Sequence, residues 1–530
     1  MKIASPKHLI SAHKALGKLL VLVVALAIGV GTTFAESGSK PWMNKAESAE
    51  IRSQQLLSVM TITQKFQQLV GAAGQVPEIP ECYGARHVPG LPELAIPTLR
   101  ITNGPVGVGQ NDCVPAEHAD PTNALSFLTT PHSAKATQLP SAMALAASFD
   151  RKVASQFGTI LGVESNNLAL HVMEGPGMNL ARNPTLGRNF EYFGEDPYLS
   201  GTMAVAEIKA IQAQGVIAMA KHLVANDQET NRMTLNEIID NKVLHEIYLL
   251  PFEMSAKEGE VASMMCSYNT VNGSGMCANK HILTDVLRGQ WGFDGYVQSD
   301  FYAVHDVANT MKAGMDHEMP GMDFPQYGAI THWKPAALQT ALDQRELTIT
   351  DIDTALHRRY TQMFKFGIFD RPVVQTPIDA QRHGDIARNI GEQSAVLLKN
   401  DNRLLPFSHS VNTIVIIGKA TYADTAVAGC CGGSSDVIPL YRVKPLQGMR
   451  NTLKATGSAA KVTLVVVNED NSNLDEAVAA ARSADAVIIM AGTLAEEGHD
   501  RVGISLDSGD QLEASMQAPN VESKLINKNQ

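Results

Sequence analysis

Between about Ala46 and Gly367 the chain alternates between two textures. Stretches such as "SAEIRSQQLLSVMTITQKFQQLVG" place apolar residues three and four apart, the spacing of a helix with one buried face. Between them stand short apolar runs that end in polar residues: "GVIAMAKH", "VASMMCSYN", "GYVQSD" and "AGMDHEMP". Strand–helix alternation over about 300 residues predicts an α/β architecture with a parallel sheet, closed at this length into a barrel over 46–367. Catalytic groups of such barrels sit where the strands end. Here the ends carry Lys221-His222, Tyr268-Asn269, Ser299-Asp300 and His317-Glu318. One acid beyond a strand is ordinarily a solvated loop residue or a helix cap. Several strands that all end in potential ligands make a candidate site.

A linker is expected over 368–385, where "FDRPVVQTPIDAQRHGD" has two prolines and no periodicity. A second α/β unit follows over 386–530. Its helix is "IARNIGEQSAVLLKN", and its strands are "TIVIIG", "KVTLVVVN" and "DAVIIMAG", with "NLDEAVAAARSA" as a helix before the last. Consecutive strands joined by helices predict a parallel open sheet. The run "IIGKATYADTAVAGCCGGSS" has glycines after a strand but no G-x-G-x-x-G turn opening a helix, so it reads as a glycine-rich loop and not as a dinucleotide cradle.

Residues 1–35 read as a signal peptide. Lys2, Lys7, Lys14 and Lys18 precede the apolar "LLVLVVALAIGVG", and Thr33 and Ala35 suit cleavage before Glu36. An uncleaved anchor is the competing reading. No later stretch has the ~20 apolar residues of a spanning helix. Cleavage removes four lysines and no acid, taking the formal charge from −11 to −15. That charge disfavours nucleic acid and anionic membranes as partners, and a periplasmic or secreted destination follows. Cys266 and Cys277 flank a turn-rich loop and can clip it, Cys82 and Cys113 can close another, and adjacent Cys430 and Cys431 stay open. No Cys/His cluster has zinc spacing. His305, Asp306, Asp316 and His317 lie close in sequence but lack a supporting pattern, so neither metal nor cofactor is expected.

Eight segments, in order, resemble glycoside hydrolase family 3, the β-glucosidase-like enzymes: "LLSVMTITQKFQQL", "LAIPTLRITNGPVGVG", "NLARNPTLGRNFEYFGEDPYLSG", "KHLVANDQETNR", "MMCSYNTVNG", "GYVQSDF", "SAVLLKNDNRLLPF" and "EEGHDR". The third is the longest and most specific. The resemblance spans about residues 50–511. It implies a TIM-like (β/α)8 barrel followed by an α/β/α sandwich, and a retaining hydrolase of β-linked oligosaccharides or aryl and alkyl β-glucosides.

In the family the acid after the seventh strand is the nucleophile, so the resemblance assigns that role to Asp300 and the acid/base role to Glu497, directly before Gly-x-Asp-Arg. Retention requires one ionised carboxylate to form a glycosyl-enzyme and a second, about 5–5.5 Å away, to protonate the leaving oxygen and later activate water. Two acids so far apart in sequence imply a cleft between the two domains. Glu496 is the neighbour in competition for the second role. Arg188, Lys221 and His222 match positions that bind sugar hydroxyls, where charge-assisted hydrogen bonds are strong. Tyr268 matches a tyrosine that orients the nucleophile, and Phe301 a wall residue that is often Trp. Arg182, Glu191, Glu195 and Asp196 read as scaffold for their long loop, while Glu229 and Arg232 stay open between scaffold and site.

Two departures stand out. Asn103 occupies a place where the family has Asp, a residue that grips the sugar's outer hydroxyls; Asn keeps an acceptor oxygen and loses a charge. After "DAVIIMAG" only 38 residues remain, so the second domain is expected to be incomplete. The rival expectations are therefore a β-xylosidase and, from another class, an inactive carbohydrate-binding relic that cannot place Glu497. The N-acetylglucosaminidase branch resembles K-H-F-P-G-H-G, whereas here Lys221-His222 continues as "LVANDQETNR".

Overall fold

A computed structural model describes residues 40–109, 111, 113, 135–325, 328–425, 433–493, 495–504 and 506. The expected signal peptide and the Cys430-Cys431 pair lie outside the described residues. The first helical stretch is two helices, α1 (Ala49–Val59) and α2 (Ile62–Gln68). Met60 is extended, and Thr61 opens α2 with a capping box in which its side chain and that of Gln64 satisfy each other's backbone amides. Apolar periodicity carries across this break, which only the T-x-x-Q signal marks.

Seven strands form one sheet in chain order: β1 (Ala72–Val76), β2 (Ile79–Val88), β3 (Leu99–Asn103), β4 (Val172–Glu174), β5 (Ile217–Leu223), β6 (Ser263–Cys266) and β7 (Tyr296–Ser299). Residues 316–318 continue it. His317 bridges Gln298 on one side and Glu318 bridges Val70, just before β1, on the other, so the ring closes. From β3 onward the pairing is parallel, as expected. A uniformly parallel barrel is not what forms, because β2 runs antiparallel to both β1 and β3. Only Pro77 and Glu78 separate β1 from β2. A parallel crossover needs a dozen or more residues, so this connection permits only a reversal.

Outside the ring lie α3 (Arg151–Asn167) and α4 (Pro197–Gln212). They cross closely at Gly158, where an added Cβ meets the Glu207 carbonyl oxygen at 2.4 Å. Helix α5 (Ile349–Lys365) packs from the other side with its own capping box at Thr348 and Asp351. The supposed linker ends early: Asp379 caps α6 (Ala380–Gln393), whose His383 bonds Glu164 on α3 at 2.7 Å. The boundary expected at 385–386 thus falls inside a helix docked on the barrel.

The three strands of the second unit fall where the sequence places them, whereas its expected first helix, "IARNIGEQSAVLLKN", is α6, which ends at Gln393 on the barrel. Strands β8 (Thr413–Lys419), β9 (Lys461–Val467) and β10 (Ala486–Ile489) form a parallel sheet in the order β9-β8-β10. Alternate residues of a strand face opposite sides. Ile414 and Ile416 face the apolar cluster that includes α7 (Pro445–Ala455), while Val415 and Ile417 face that of α8 (Leu474–Ser483). A helix therefore covers each face. The segment after the glycine-rich loop leaves this unit for the barrel: Ala136 bridges Pro439, and Val437 joins the barrel core. Disulfides join Cys82 to Cys113 and Cys266 to Cys277. No described helix is long and apolar enough to cross a membrane.

Two predictions follow from the α3–α4 crossing. Gly158→Ala improves helix propensity yet should destabilise by about 1–3 kcal/mol through overpacking, read as a lower urea midpoint. Beside it, burial pushes the Glu207 carboxyl up to about 8. Between the ordinary carboxyl range and pH 8 the folded chain keeps a proton that the unfolded chain has lost, so stability falls as pH rises through that window. Glu207→Gln should flatten this slope in unfolding curves measured from pH 5 to 8.5.

Candidate active site

Several strand ends come together at one end of the barrel. Asn103 ends β3 and accepts hydrogen bonds at Oδ1 from Lys221 Nζ at 2.5 Å and from the Gly104 amide at 2.8 Å. Lys221 and His222 lie on β5, fully buried. Asn179 pins the His222 backbone twice, donating to its carbonyl and accepting from its amide, both at 2.9 Å. His222 Nε2 then lies 3.7 Å from Asp300 Oδ2. Burial, with Arg188 and Lys221 nearby, holds the imidazole well below its usual pKa and so neutral. Burial also lowers the Lys221 ammonium, opposed by Glu191, Glu174 and Asp300.

Asp300 follows β7 directly. Its amide donates to the Cys266 carbonyl at 3.0 Å, and its Oδ1 accepts from the Phe301 amide at 2.8 Å. Its Oδ2 is buried with no hydrogen-bond partner among the described residues. Burial raises its pKa; the Arg188, Arg232 and Lys221 charges oppose this, while Glu497 adds to it. Tyr268, just beyond β6, lies under the Arg232 guanidinium, 4.6 Å from the ring centre. Burial and the Asp300 charge keep its hydroxyl protonated. The Phe301 ring is covered by Arg86 at 4.5 Å, and Arg86 itself pairs with Glu174.

Glu497 arrives from the second unit. Its Oε1 is 3.0 Å from Arg232 Nη1 and 3.6 Å from Arg188 Nη1, and its Oε2 accepts from the Ser434 amide at 2.7 Å and Oγ at 2.5 Å. Burial works against its charge, but the two arginines and Ser434 outweigh it and hold the carboxyl well below the usual range. Asp300 and Glu497 thus share one buried cluster of charges, and each feels the other's arginines. Glu496 pairs instead with His499 at 3.9 Å.

The loop that carries Glu497 is fastened to the barrel. Asp500 accepts from the amides of Gly187, Glu229 and Thr230 and from the Thr230 hydroxyl, at 2.7–3.1 Å. The Gly498 amide donates to Glu229 at 2.7 Å. Gly187 allows the approach, since a Cβ there meets the His499 carbonyl oxygen at 1.8 Å.

Two models of one family match this chain: the glycosyl hydrolase family 3 N-terminal domain over residues 130–360 and the family 3 C-terminal domain over 395–529. The chain belongs to glycosyl hydrolase family 3. Thermostable beta-glucosidase B of Acetivibrio thermocellus is 35% identical over 435 residues, 79% of this chain and 53% of that protein. Beta-glucosidase B of Emericella nidulans is 32% identical over 425 residues, 78% and 44% respectively. The chain therefore spans about half the length of the relatives it matches. Among solved structures, DesR, a beta-glucosidase from Streptomyces venezuelae in complex with D-glucose, has a TM-score of 0.66 and 32% identity, covering 78% of this chain and 50% of that one. Beta-glucosidase 3B from Thermotoga neapolitana in complex with alpha-D-glucose gives 0.71 and 27%, covering 85% and 64%.

Within this family 3 chain, the cluster also holds residues that the sequence left aside. Glu191, read as scaffold, pairs with Arg188 at 2.7 Å, approaches Lys221 at 4.0 Å and accepts from Ser435 at 2.6 Å. Glu229 and Arg232, left open, pair with each other at 2.7 Å inside the site. Ser434 and Ser435 come from the glycine-rich loop, whose sequence carried no sign of where it docks. Asp196 caps α4 and Arg182 meets Tyr248, both scaffold roles as expected. Glu318 accepts from the amides of His332 and Trp333, and Asp316 pairs with Arg288 and Arg358, so these strand-end acids serve the frame. Asp500→Ala should free the Glu497 loop, measured as faster hydrogen exchange at the amides of Gly187, Glu229 and Thr230 with the remaining barrel amides unchanged.

Proposed function

We propose that this chain is an exported, retaining β-glycosidase that removes terminal non-reducing β-D-glucosyl residues from β-linked oligosaccharides or from aryl and alkyl β-glucosides. The reading is carried by one observation: Asp300 and Glu497, from the two halves of the chain, lie in one buried cluster with cations around them. In the first step an Asp300 oxygen attacks the anomeric carbon, the bond to the leaving oxygen breaks, and Glu497 gives that oxygen its proton. In the second, Glu497 takes a proton from water, the water oxygen bonds to the anomeric carbon, and the Asp300 carboxylate departs. The unbonded Asp300 Oδ2 suits the attacking role.

The remaining groups take roles around the sugar. Arg188, Lys221, His222 and Asn103 hold hydroxyls of the sugar whose bond is cut. Tyr268 orients Asp300, and Phe301 forms the apolar wall. The reaction so written uses only these side chains and water. Relatives named as beta-glucosidases support the substrate class, as do structural neighbours that hold glucose. The basic start and apolar run of residues 1–35 support export.

Treatment with 2,4-dinitrophenyl 2-deoxy-2-fluoro-β-glucoside should leave a glycosyl adduct on the peptide containing Asp300, read by mass spectrometry. That leaving group needs no proton, so the reagent tests the nucleophile apart from Glu497. Asp300→Ala should abolish labelling and turnover. Glu497→Ala should keep labelling and lose mainly substrates with poor leaving groups, by roughly the 10²–10⁴-fold typical of acid–base catalysis. An adduct on another peptide, or none on folded protein, would sink the assignment.

A further inference from the structure

Lys221 crosses a strand to reach its acceptor. It lies on β5 and Asn103 ends β3, with β4 between them. The span therefore passes the end of β4, where Glu174 is buried and stands in register beside Asn103. No motif in the sequence covers Glu174, and neither step of the proposed hydrolysis uses it.

Asn103 gives the ammonium an acceptor oxygen but no charge, where the family has Asp. A buried cation without a charge partner is costly. The groups facing Lys221 are Asn103 from β3, Glu174 from β4, Glu191 and Arg188 from the loop beyond β4, and Asp300 beyond β7, with neutral His222 next to it on β5. Glu191 is 4.0 Å away and is engaged by Arg188 and Ser435. Asp300 gives up its charge in the glycosyl-enzyme. Among these acids Glu174 alone has neither commitment.

Glu174 is fixed from two other strands. Its Oε2 pairs with Arg86 of β2, and its Oε1 accepts from Gln298 of β7 at 3.0 Å, across the barrel. Gln298 in turn faces His317 Nδ1 at 3.1 Å. Arg86 lies over the Phe301 ring at 4.5 Å. Of this ion pair it is the Glu174 charge that helps to hold the proton on Lys221.

We propose that Glu174 is a positioning residue that stands in for the carboxylate missing at position 103: from the strand between, it balances the Lys221 ammonium, and through Arg86 it braces the wall at Phe301. The proposal rests on the hydrolase reading, in which Lys221 holds sugar hydroxyls. The charge has moved one strand along the rim, and the acceptor has stayed where it was.

A charge-relocation cycle tests this: wild type, Glu174→Gln, Asn103→Asp and the double variant, assayed with 4-nitrophenyl β-glucoside. Glu174→Gln should raise KM about tenfold, the size of one weakened charge-assisted contact, with kcat within about threefold, because binding common to ground and transition states is lost. Asn103→Asp alone sets a second carboxylate beside Glu174 and should not improve KM. The double variant should bring KM back to within about threefold of wild type. An unchanged KM in Glu174→Gln, or a double variant no better than that single one, would overturn the inference and leave the hydrolase reading in place. If Glu174→Gln shows no cooperative unfolding transition, the double variant should regain one, and failure to do so counts against the proposal equally. If wild type hydrolyses nothing, the hydrolase reading fails and the charge balance is read directly. The ¹³Cε-lysine resonance absent from Lys221→Met should then titrate at lower pH in Glu174→Gln than in wild type, and higher again in the double variant. Equal midpoints would refute it.

Discussion

Two buried arginines hold the halves of this molecule in a working relation. Arg188 and Arg232 each carry an acid from the barrel, Glu191 and Glu229, and both then reach Glu497 from the second unit. Burying a guanidinium without a partner is costly, and a buried pair is worth having only when its geometry and remaining hydrogen bonds are good. Here the remaining bonds come from the other unit. Ser435 bonds Glu191, Gly498 bonds Glu229, and Ser434 bonds Glu497. The barrel's rim charges are thus satisfied in part by the second unit, and its loops are satisfied by the rim.

The electrostatics of the two carboxyls follow from the same arrangement. Asp300 has one oxygen without a hydrogen-bond partner among the described residues, so burial dominates and its pKa rises. Glu497 sits between the arginines, so charge dominates and its pKa falls. Neutral Asn103 fits the same balance: it gives Lys221 an acceptor without adding another carboxylate to a rim that already holds Glu174, Glu191, Glu229, Asp300 and Glu497.

How much of this was legible in the sequence depends on the range of the interaction. Strands β8, β9 and β10 were readable because their apolar runs are bounded by turns and helices, all local signals. Asp300, Lys221 and Tyr268 were readable as strand ends and as parts of motifs. The reversal of β2 was missed because strand–helix alternation was extended back over a segment with no helical period, where Pro77-Glu78 is too short for a crossover. Ser434, Ser435 and Glu191 were missed for a different reason. Their role comes from docking between segments distant in sequence, 244 residues apart for Ser435 and Glu191 and 63 for Ser434 and Glu497, and a serine in a glycine-rich loop looks the same whether it meets water or a carboxylate. The helix read from Ile386 begins earlier, because Asp379 caps α6 while its first residues, "AQRHGD", read as linker.

The Cys266–Cys277 disulfide ties the end of β6 to a point eleven residues on. The loop so enclosed carries Tyr268, and the Cys266 carbonyl receives the Asp300 amide. Tyr268 and Asp300 are therefore mounted on a single covalently braced corner. Displacing either one strains the other, so this corner of the barrel rim responds as a single stiff piece.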